Sequence, residues 1–264
     1  MYRSVSLFPK LINMKLRAYD VAIIGICAAV YAVVGRLTDF GLNIGGVAFW
    51  PAALIPAVFA VLFGPWTGGI GAAIGIFIRD MIFHGDPLLS LSAGVTGNFA
   101  AFFIIGYISR SKLDNKKIVT SVFIGTIIII SGLLLPTILL PTETTGFTQL
   151  STIESIVLFI GTVISSLAII TIVSKAFPEW RNFAVGSVIG AAIGSMIIAI
   201  VVWGYSQVLF SPTGYFKAAI NSSFIPIIFI WTFATEIPFI LFLGPPIIKA
   251  CYRAFPSLKK MRDS

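Results

Sequence analysis

The chain predicts an all-α integral membrane protein, a polytopic bundle of about eight (six to eight) transmembrane helices with both termini in the cytoplasm. Three observations carry this. Its 264 residues are 58% hydrophobic and 11% charged, where soluble domains carry about 25% charged residues. The mean hydropathy is +1.01. With the apolar runs read as eight spans starting inside, 15 of the 18 Lys and Arg fall on one side, and only Arg36, Arg79 and Lys217 on the other. Short basic loops stay cytoplasmic because moving them across a bilayer is unfavourable, so this sorting fixes the orientation. The net charge of +8 sits in clusters beside the membrane, where it sets orientation and meets anionic lipid rather than nucleic acid.

A span needs about 20 apolar residues, and the runs that qualify are 20–36, 50–64, 66–84, 90–109, 118–140, 153–174, 183–205 and 222–249. Residues 1–19 form a basic cytoplasmic segment, 20–249 one membrane domain and 250–264 a basic tail. No apolar signal region precedes Asp20, so the first span is expected to be retained; Met14, followed by Lys15 and Arg17, is an alternative start to Met1. The second span is short and holds Pro51 and Pro56, which predicts a broken or tilted helix shielded by its neighbours. Before it runs a Gly-rich loop with Asn43, Gly45 and Gly46, placed to fold over a cavity. Cys27 and Cys251 lie at opposite depths, so neither a disulfide nor a metal site is implied.

Within the spans, small residues recur four apart. In the first, Gly25 and Ala29, and Ala28 and Ala32, share faces; in the third, Gly71 and Gly75 do. That spacing admits another helix closely, and by itself reads as packing within the chain. Arg79, Asp80, His84 and Asp86 gather at the outer end of the third span. With one histidine and loose spacing they read as an interfacial cap rather than a metal centre. Asn98 and Glu236 fall near the middle of their spans, where an ionised acid costs about 2.5–3.5 kcal/mol, so Glu236 faces a cavity, pairs or stays protonated, in a ligand or gating role or in a helix-to-helix hydrogen bond. Trp50, Trp203, Tyr205, Tyr215 and Trp231 lie towards the outer half. Most are expected in an interfacial belt, with one or more of Trp50, Trp203 and Trp231 turned inward to stack on a planar ligand. The candidate substrate-binding set is therefore Asn43, Trp50, Asp80, Asn98, Trp203, Trp231 and Glu236.

The absences narrow the class. The chain has no phosphate-binding P-loop, no His pair for haem, no protease motif and few intramembrane charges for a proton relay. No catalytic residue and no cofactor are assigned.

The Ala28/Ala32 pair, the Gly-rich outer loop, the Pro-bearing second span, Gly64-Pro65-Trp66 with Gly71, Gly75 and Asp80, and the closing Glu236-Ile-Pro238 through Gly-Pro-Pro-Ile-Ile-Lys249 together resemble the substrate-binding S components of energy-coupling factor (ECF) transporters. The resemblance covers roughly the first 110 residues and the last 30. It implies a plasma-membrane subunit that captures a vitamin or related micronutrient under a lid after the first helix, here around Asn43 and Gly45. It also implies docking of Ala28 and Ala32 on a transmembrane coupling subunit powered by two cytoplasmic ATPases. Members of that family typically have six spans, so 118–174 looks like one added helical hairpin. The histidine that begins nickel and cobalt members is absent from Met1-Tyr2-Arg3, which disfavours a metal substrate. Two other classes stand beside this reading: a self-sufficient secondary carrier, coupled to an ion gradient, and a membrane enzyme on lipid or prenyl substrates, which would need acids at the cytoplasmic face.

Overall fold

The structure is a computed structural model that describes residues 17–39, 41, 43–111, 160–161, 164, 168, 171–172, 175–211 and 214–258. The expected spans 118–140 and 153–174 and the polar loop between them lie outside the described residues, apart from isolated positions. Five described helices are long and apolar enough to cross a membrane, and a sixth, shorter apolar helix accompanies them.

Helix α1 (Ala18–Leu37) starts on a capping box in which the Arg17 amide donates to Asp20 at 3.0 Å, with Arg36 in the last turn complementing the helix dipole. A two-stranded hairpin follows, β1 (Asn43–Ile44) and β2 (Val47–Ala48), with Ile44 opposite Val47. Its turn, Gly45-Gly46, has φ of 59° and 85°. Two successive positive φ values are what a tight hairpin turn of this hand demands, and only residues such as glycine adopt them without strain. The second span is broken as its prolines predict: a 3-10 turn at Pro51–Ala53 runs into α2 (Leu54–Phe63), most of which is buried. Pro65 opens α3 (Pro65–Phe83). Helix α4 (Pro87–Arg110) contains a π-helical stretch at Ser90–Val95, and α5 (Arg181–Val208) and α6 (Phe224–Ala254) complete the bundle.

Small residues bring the helices together. A Cβ at Gly71 would come within 2.7 Å of Cys27, and one at Gly75 within 2.8 Å of the Ala28 carbonyl, so α3 crosses α1 backbone against side chain. Helix α5 does the same to α4 through Gly186, Gly190 and Gly194. A Cβ at Gly190 would lie 2.5 Å from the Ala101 carbonyl and one at Gly194 2.7 Å from the Ala101 Cβ. This four-residue glycine repeat was present in the sequence and not singled out there.

The crossing of α1 sets which of its small residues face inward. Ala28 and Ala32 are 3% and 8% exposed, on the face that packs inward with Cys27, Tyr31 and Gly35. The small residues that α1 turns outward are Ala18, Ala22, Gly25 and Ala29, and a Cβ at Gly25 would meet nothing within 4 Å.

The antiparallel run of helices gives the bundle two unlike ends. Arg17, Arg110, Lys175, Arg181, Lys249 and Arg253 lie at one, here the basic end. There Arg110 donates to the Val61 and Leu62 carbonyls at 2.9 and 3.1 Å, and Asn182 donates to the Ser111 carbonyl at 2.8 Å. These bonds serve carbonyls that helix ends leave without partners. The hairpin, Arg36, Arg79 and Lys217 lie at the other, the lid end.

A lidded polar cavity as the candidate functional site

Beneath the hairpin lies a cavity of about 70 Å³. Its roof is Gly46, Val47 and Ala48 with Trp50. Its walls are Ile76, Arg79 and Asp80 of α3 with His84 at that helix's C-terminus, Leu89, Ala93, Gly94 and Asn98 of α4, Ile198 and Val202 of α5, Phe216 from the α5–α6 connection, and Thr232 and Glu236 of α6.

The lid is pinned from two sides. The Tyr215 hydroxyl donates to the Gly46 carbonyl at 2.9 Å, and the Trp231 indole to the Val47 carbonyl at 2.8 Å. Phe49 packs edge-on against Phe239, with ring centres 5.8 Å apart.

Below it runs a relay of hydrogen bonds. The Trp50 indole donates to the Tyr31 hydroxyl at 2.5 Å, Tyr31 donates to Asn98 Oδ1 at 2.5 Å, and Asn98 Nδ2 donates to the Gly94 carbonyl at 2.8 Å. All three side chains are buried. The relay orients Trp50 as a wall and ties α1, α4 and the lid base into one unit, since each buried polar group finds its partner in the next. The π-helical stretch brings Gly94 beside α3: a Cβ there would sit 2.7 Å from Asp80 Oδ2.

The lid-end charges form a second network. Arg79 Nη2 donates to Asp39 Oδ2 at 2.8 Å and Nη1 to Asp80 Oδ1 at 3.3 Å, and its guanidinium lies 4.7 Å above the Trp50 ring centre and 4.1 Å from that of Phe83. A buried guanidinium bracketed by two carboxylates and two aromatic faces is held in charge and position. Asp80 also accepts from Ser90 at 2.7 Å, and His84 Nε2 stands 3.8 Å from it. His84 Nδ1 accepts the Asp86 amide at 3.1 Å, which leaves the neutral ring its proton on Nε2, facing Asp80. Asp86 caps α4, accepting from the Leu88 and Leu89 amides at 3.1 and 3.0 Å and from the Tyr205 hydroxyl at 2.6 Å. Partial burial works against its ionisation, but these three donors outweigh that and hold its carboxyl below the usual range.

Glu236 differs from every other acid here. It is 5% exposed, lines the cavity, and has no hydrogen-bond partner among the described residues.

Of the residues singled out from sequence, Trp50, Asp80, Asn98 and Glu236 meet around this one cavity. Trp203 and Trp231 do not line it: Trp203 packs against the α5–α6 core, and Trp231 reaches the lid from outside. Asn43 sits in β1, with its side chain outside what the structure describes. Sequence reading missed Tyr31, Thr232 and the cavity-facing role of Arg79. Arg79 carried a usable signal, because a charge in a membrane helix must pair or face a cavity; Tyr31, one aromatic among many, carried none.

A cavity lined by buried polar and charged side chains, inside an apolar helical bundle and beneath a hairpin, is the candidate small-solute site of a membrane protein. Residues 15–177 match the family model described as ECF-type riboflavin transporter, S component, and the chain belongs to that family. That description is of a transporter subunit. Similar proteins include a UPF0397 protein of Clostridium perfringens, 31% identical over 106 residues, one of Photobacterium profundum, 33% over 107, and one of Aliivibrio fischeri, 30% over 105. Each match covers 39% of this chain, and the chain spans about half the length of these relatives, 55%, 57% and 56% respectively. No solved structure matches it.

Proposed function

We propose that this chain is the substrate-capturing membrane subunit of an ATP-driven ECF importer for a vitamin or related organic micronutrient, with its lid end outside the plasma membrane. The observation that carries the reading is the cavity itself, which gathers Trp50, Asn98, Arg79, Asp80 and Glu236 from four separate parts of the chain beneath one lid. At about 70 Å³ it is smaller than the roughly 300–1,000 Å³ of a typical small-molecule pocket. A micronutrient therefore enters by displacing the hairpin and the Tyr215 segment, which two hydrogen bonds and the Phe49 contacts hold in place. Riboflavin, which the family's description names, is a ligand to test rather than to assume.

The outward face of α1, with Ala22, Gly25 and Ala29, is where a transmembrane coupling subunit docks in this reading, in place of Ala28 and Ala32. Its flatness is what supports it: a helix whose small residues face out admits a partner's backbone. Introducing Trp at Gly25 and Ala29 together is expected to abolish ATP-dependent uptake and co-purification with the coupling subunit while binding of the co-purifying solute persists. Uptake that survives in cells lacking every coupling ATPase would make the protein a self-sufficient carrier instead. Orientation is read separately. In a background without Cys27 and Cys251, Lys217→Cys should label from outside and Ser257→Cys only from inside with an impermeant thiol reagent, and the reverse pattern would invert the bundle.

A further inference from the structure

The cavity's charges do not balance, and the imbalance bears on what it holds. Among the described residues, Arg79 is the one Lys or Arg in its lining. Both terminal nitrogens of its guanidinium are spent on carboxylates, Asp39 at 2.8 Å and Asp80 at 3.3 Å, and its faces are covered by Trp50 and Phe83. Its positive charge is thus already answered twice before the deeper acid is counted. Only its Nε lacks a partner among the described residues. His84 adds no charge in its neutral form, and Arg36 and Lys217, the other cations of the lid end, are exposed and outside the lining.

Glu236 then stands alone. Thr232, one turn before it on α6, spends its hydroxyl proton on the Ile228 carbonyl at 2.8 Å, and Asn98 spends one amide proton on Gly94 and its Oδ1 on Tyr31. No described side chain offers the Glu236 carboxyl a proton or a charge. In its ionised form, a buried acid facing a cavity without a partner is costly unless something entering the cavity answers it.

We propose that the cavity is selective for an organic cation, a micronutrient whose positively charged nitrogen rests against Glu236 beneath the Trp50 wall and whose hydrogen-bond acceptor meets the free Arg79 Nε–H. This deepens the transport reading and rests on it. The three carboxylates Asp39, Asp80 and Glu236 against a single guanidinium are what reject an anion. A neutral ring supplies no counter-charge, so it meets Glu236 only as the uncharged acid and without the charge-assisted bond that a cation makes.

The test uses the purified full chain in lipid nanodiscs, with tryptophan fluorescence as the readout. Three probes of different charge are titrated: thiamine as an aromatic cation, riboflavin as a neutral heterocycle, and pantothenate as an anion. Choline is added as a cation without an aromatic ring. At least one of the two cations is expected to bind at least about tenfold more tightly than riboflavin or pantothenate, and Glu236→Gln to weaken it by about tenfold or more, as loss of one member of a buried charge pair does. Glu236→Asp, which keeps the charge on a shorter arm, should retain part of the affinity, and it serves as the variant should the amide fail to fold. Tighter binding of riboflavin or pantothenate overturns the inference, as does binding of neither cation at millimolar concentration, or cation affinity unchanged in both variants. Co-purification with the coupling subunit is measured on the same preparations. The substrate inference can therefore fail while that association, and the transport reading with it, stands.

Discussion

The two ends of the bundle are built by opposite means. At the basic end the helices close through backbone contacts, with Gly186 of α5 packed on the Ile105 carbonyl and Arg110 and Asn182 capping carbonyls that helix termini leave open. Polarity there serves to finish helices. At the lid end buried polar groups bond one another across elements: Asp39 to Arg79, Trp50 to Tyr31 to Asn98, Ser90 to Asp80. The contrast separates two uses of polarity in an apolar protein. A polar group that answers a backbone carbonyl fixes a fold, whereas a network of side chains facing a space, with Glu236 left unanswered, fixes a site.

If that contrast is right, the largest effect comes from Arg79. Arg79→Ala leaves Asp39 and Asp80 buried without their counter-ion, at a cost of about 3–5 kcal/mol, and should appear as a steep fall in thermal stability of the detergent-solubilised protein. A shift of under about 1 kcal/mol would mean that the two carboxylates are not held by this ion pair. Next is Tyr31→Phe, which strips the indole of Trp50 of its acceptor and Asn98 of its donor. A loss of about 1–3 kcal/mol is expected, together with a changed Trp50 emission and weakened solute binding. At the opposite end, Arg110→Ala should cost about 1–2 kcal/mol by uncapping α2, yet leave solute affinity as it was. Weakened binding there would show that the two ends are not separate.

The smallest effect belongs to Asp86→Ala, which removes the α4 cap for about 1 kcal/mol. Its pH dependence has a definite sign. Because the folded carboxyl titrates below its unfolded range, its contribution is present above the unfolded value and disappears as pH falls through the folded one. Thermal melts of parent and variant should differ near neutrality and converge in acid; a gap that persists in acid would assign the loss to packing instead.

Much of the frame was legible in the chain. The runs 20–36, 50–64, 66–84, 90–109, 183–205 and 222–249 correspond to α1, the broken α2, α3, α4, α5 and α6, because apolar length is a local property that the bilayer reads directly. Gly45 and Gly46 marked a loop over the cavity, and the structure makes them the turn of a hairpin, where two positive φ values favour such residues. Depth marked Asn98 and Glu236, and clustering marked Asp80, because polarity is costly where they lie.

What tertiary structure alone decided is rotation. Successive residues on a helix point about 100° apart, and the sequence of α1 offers small residues on more than one face. Packing against Gly71 and Gly75 of α3 turned Ala28 and Ala32 inward and left Gly25 and Ala29 outside. The tryptophans divided for the same reason. Trp50 entered the cavity wall because Tyr31 could accept its indole proton, while Trp231 found its acceptor on the lid backbone and Trp203 packed in the α5–α6 core. The partner of Arg79 lies 40 positions earlier in the chain, and no spacing rule spans that distance. Which polar groups meet is set by how helices rotate and cross, and it is the meeting, with Glu236 left over, that makes the site.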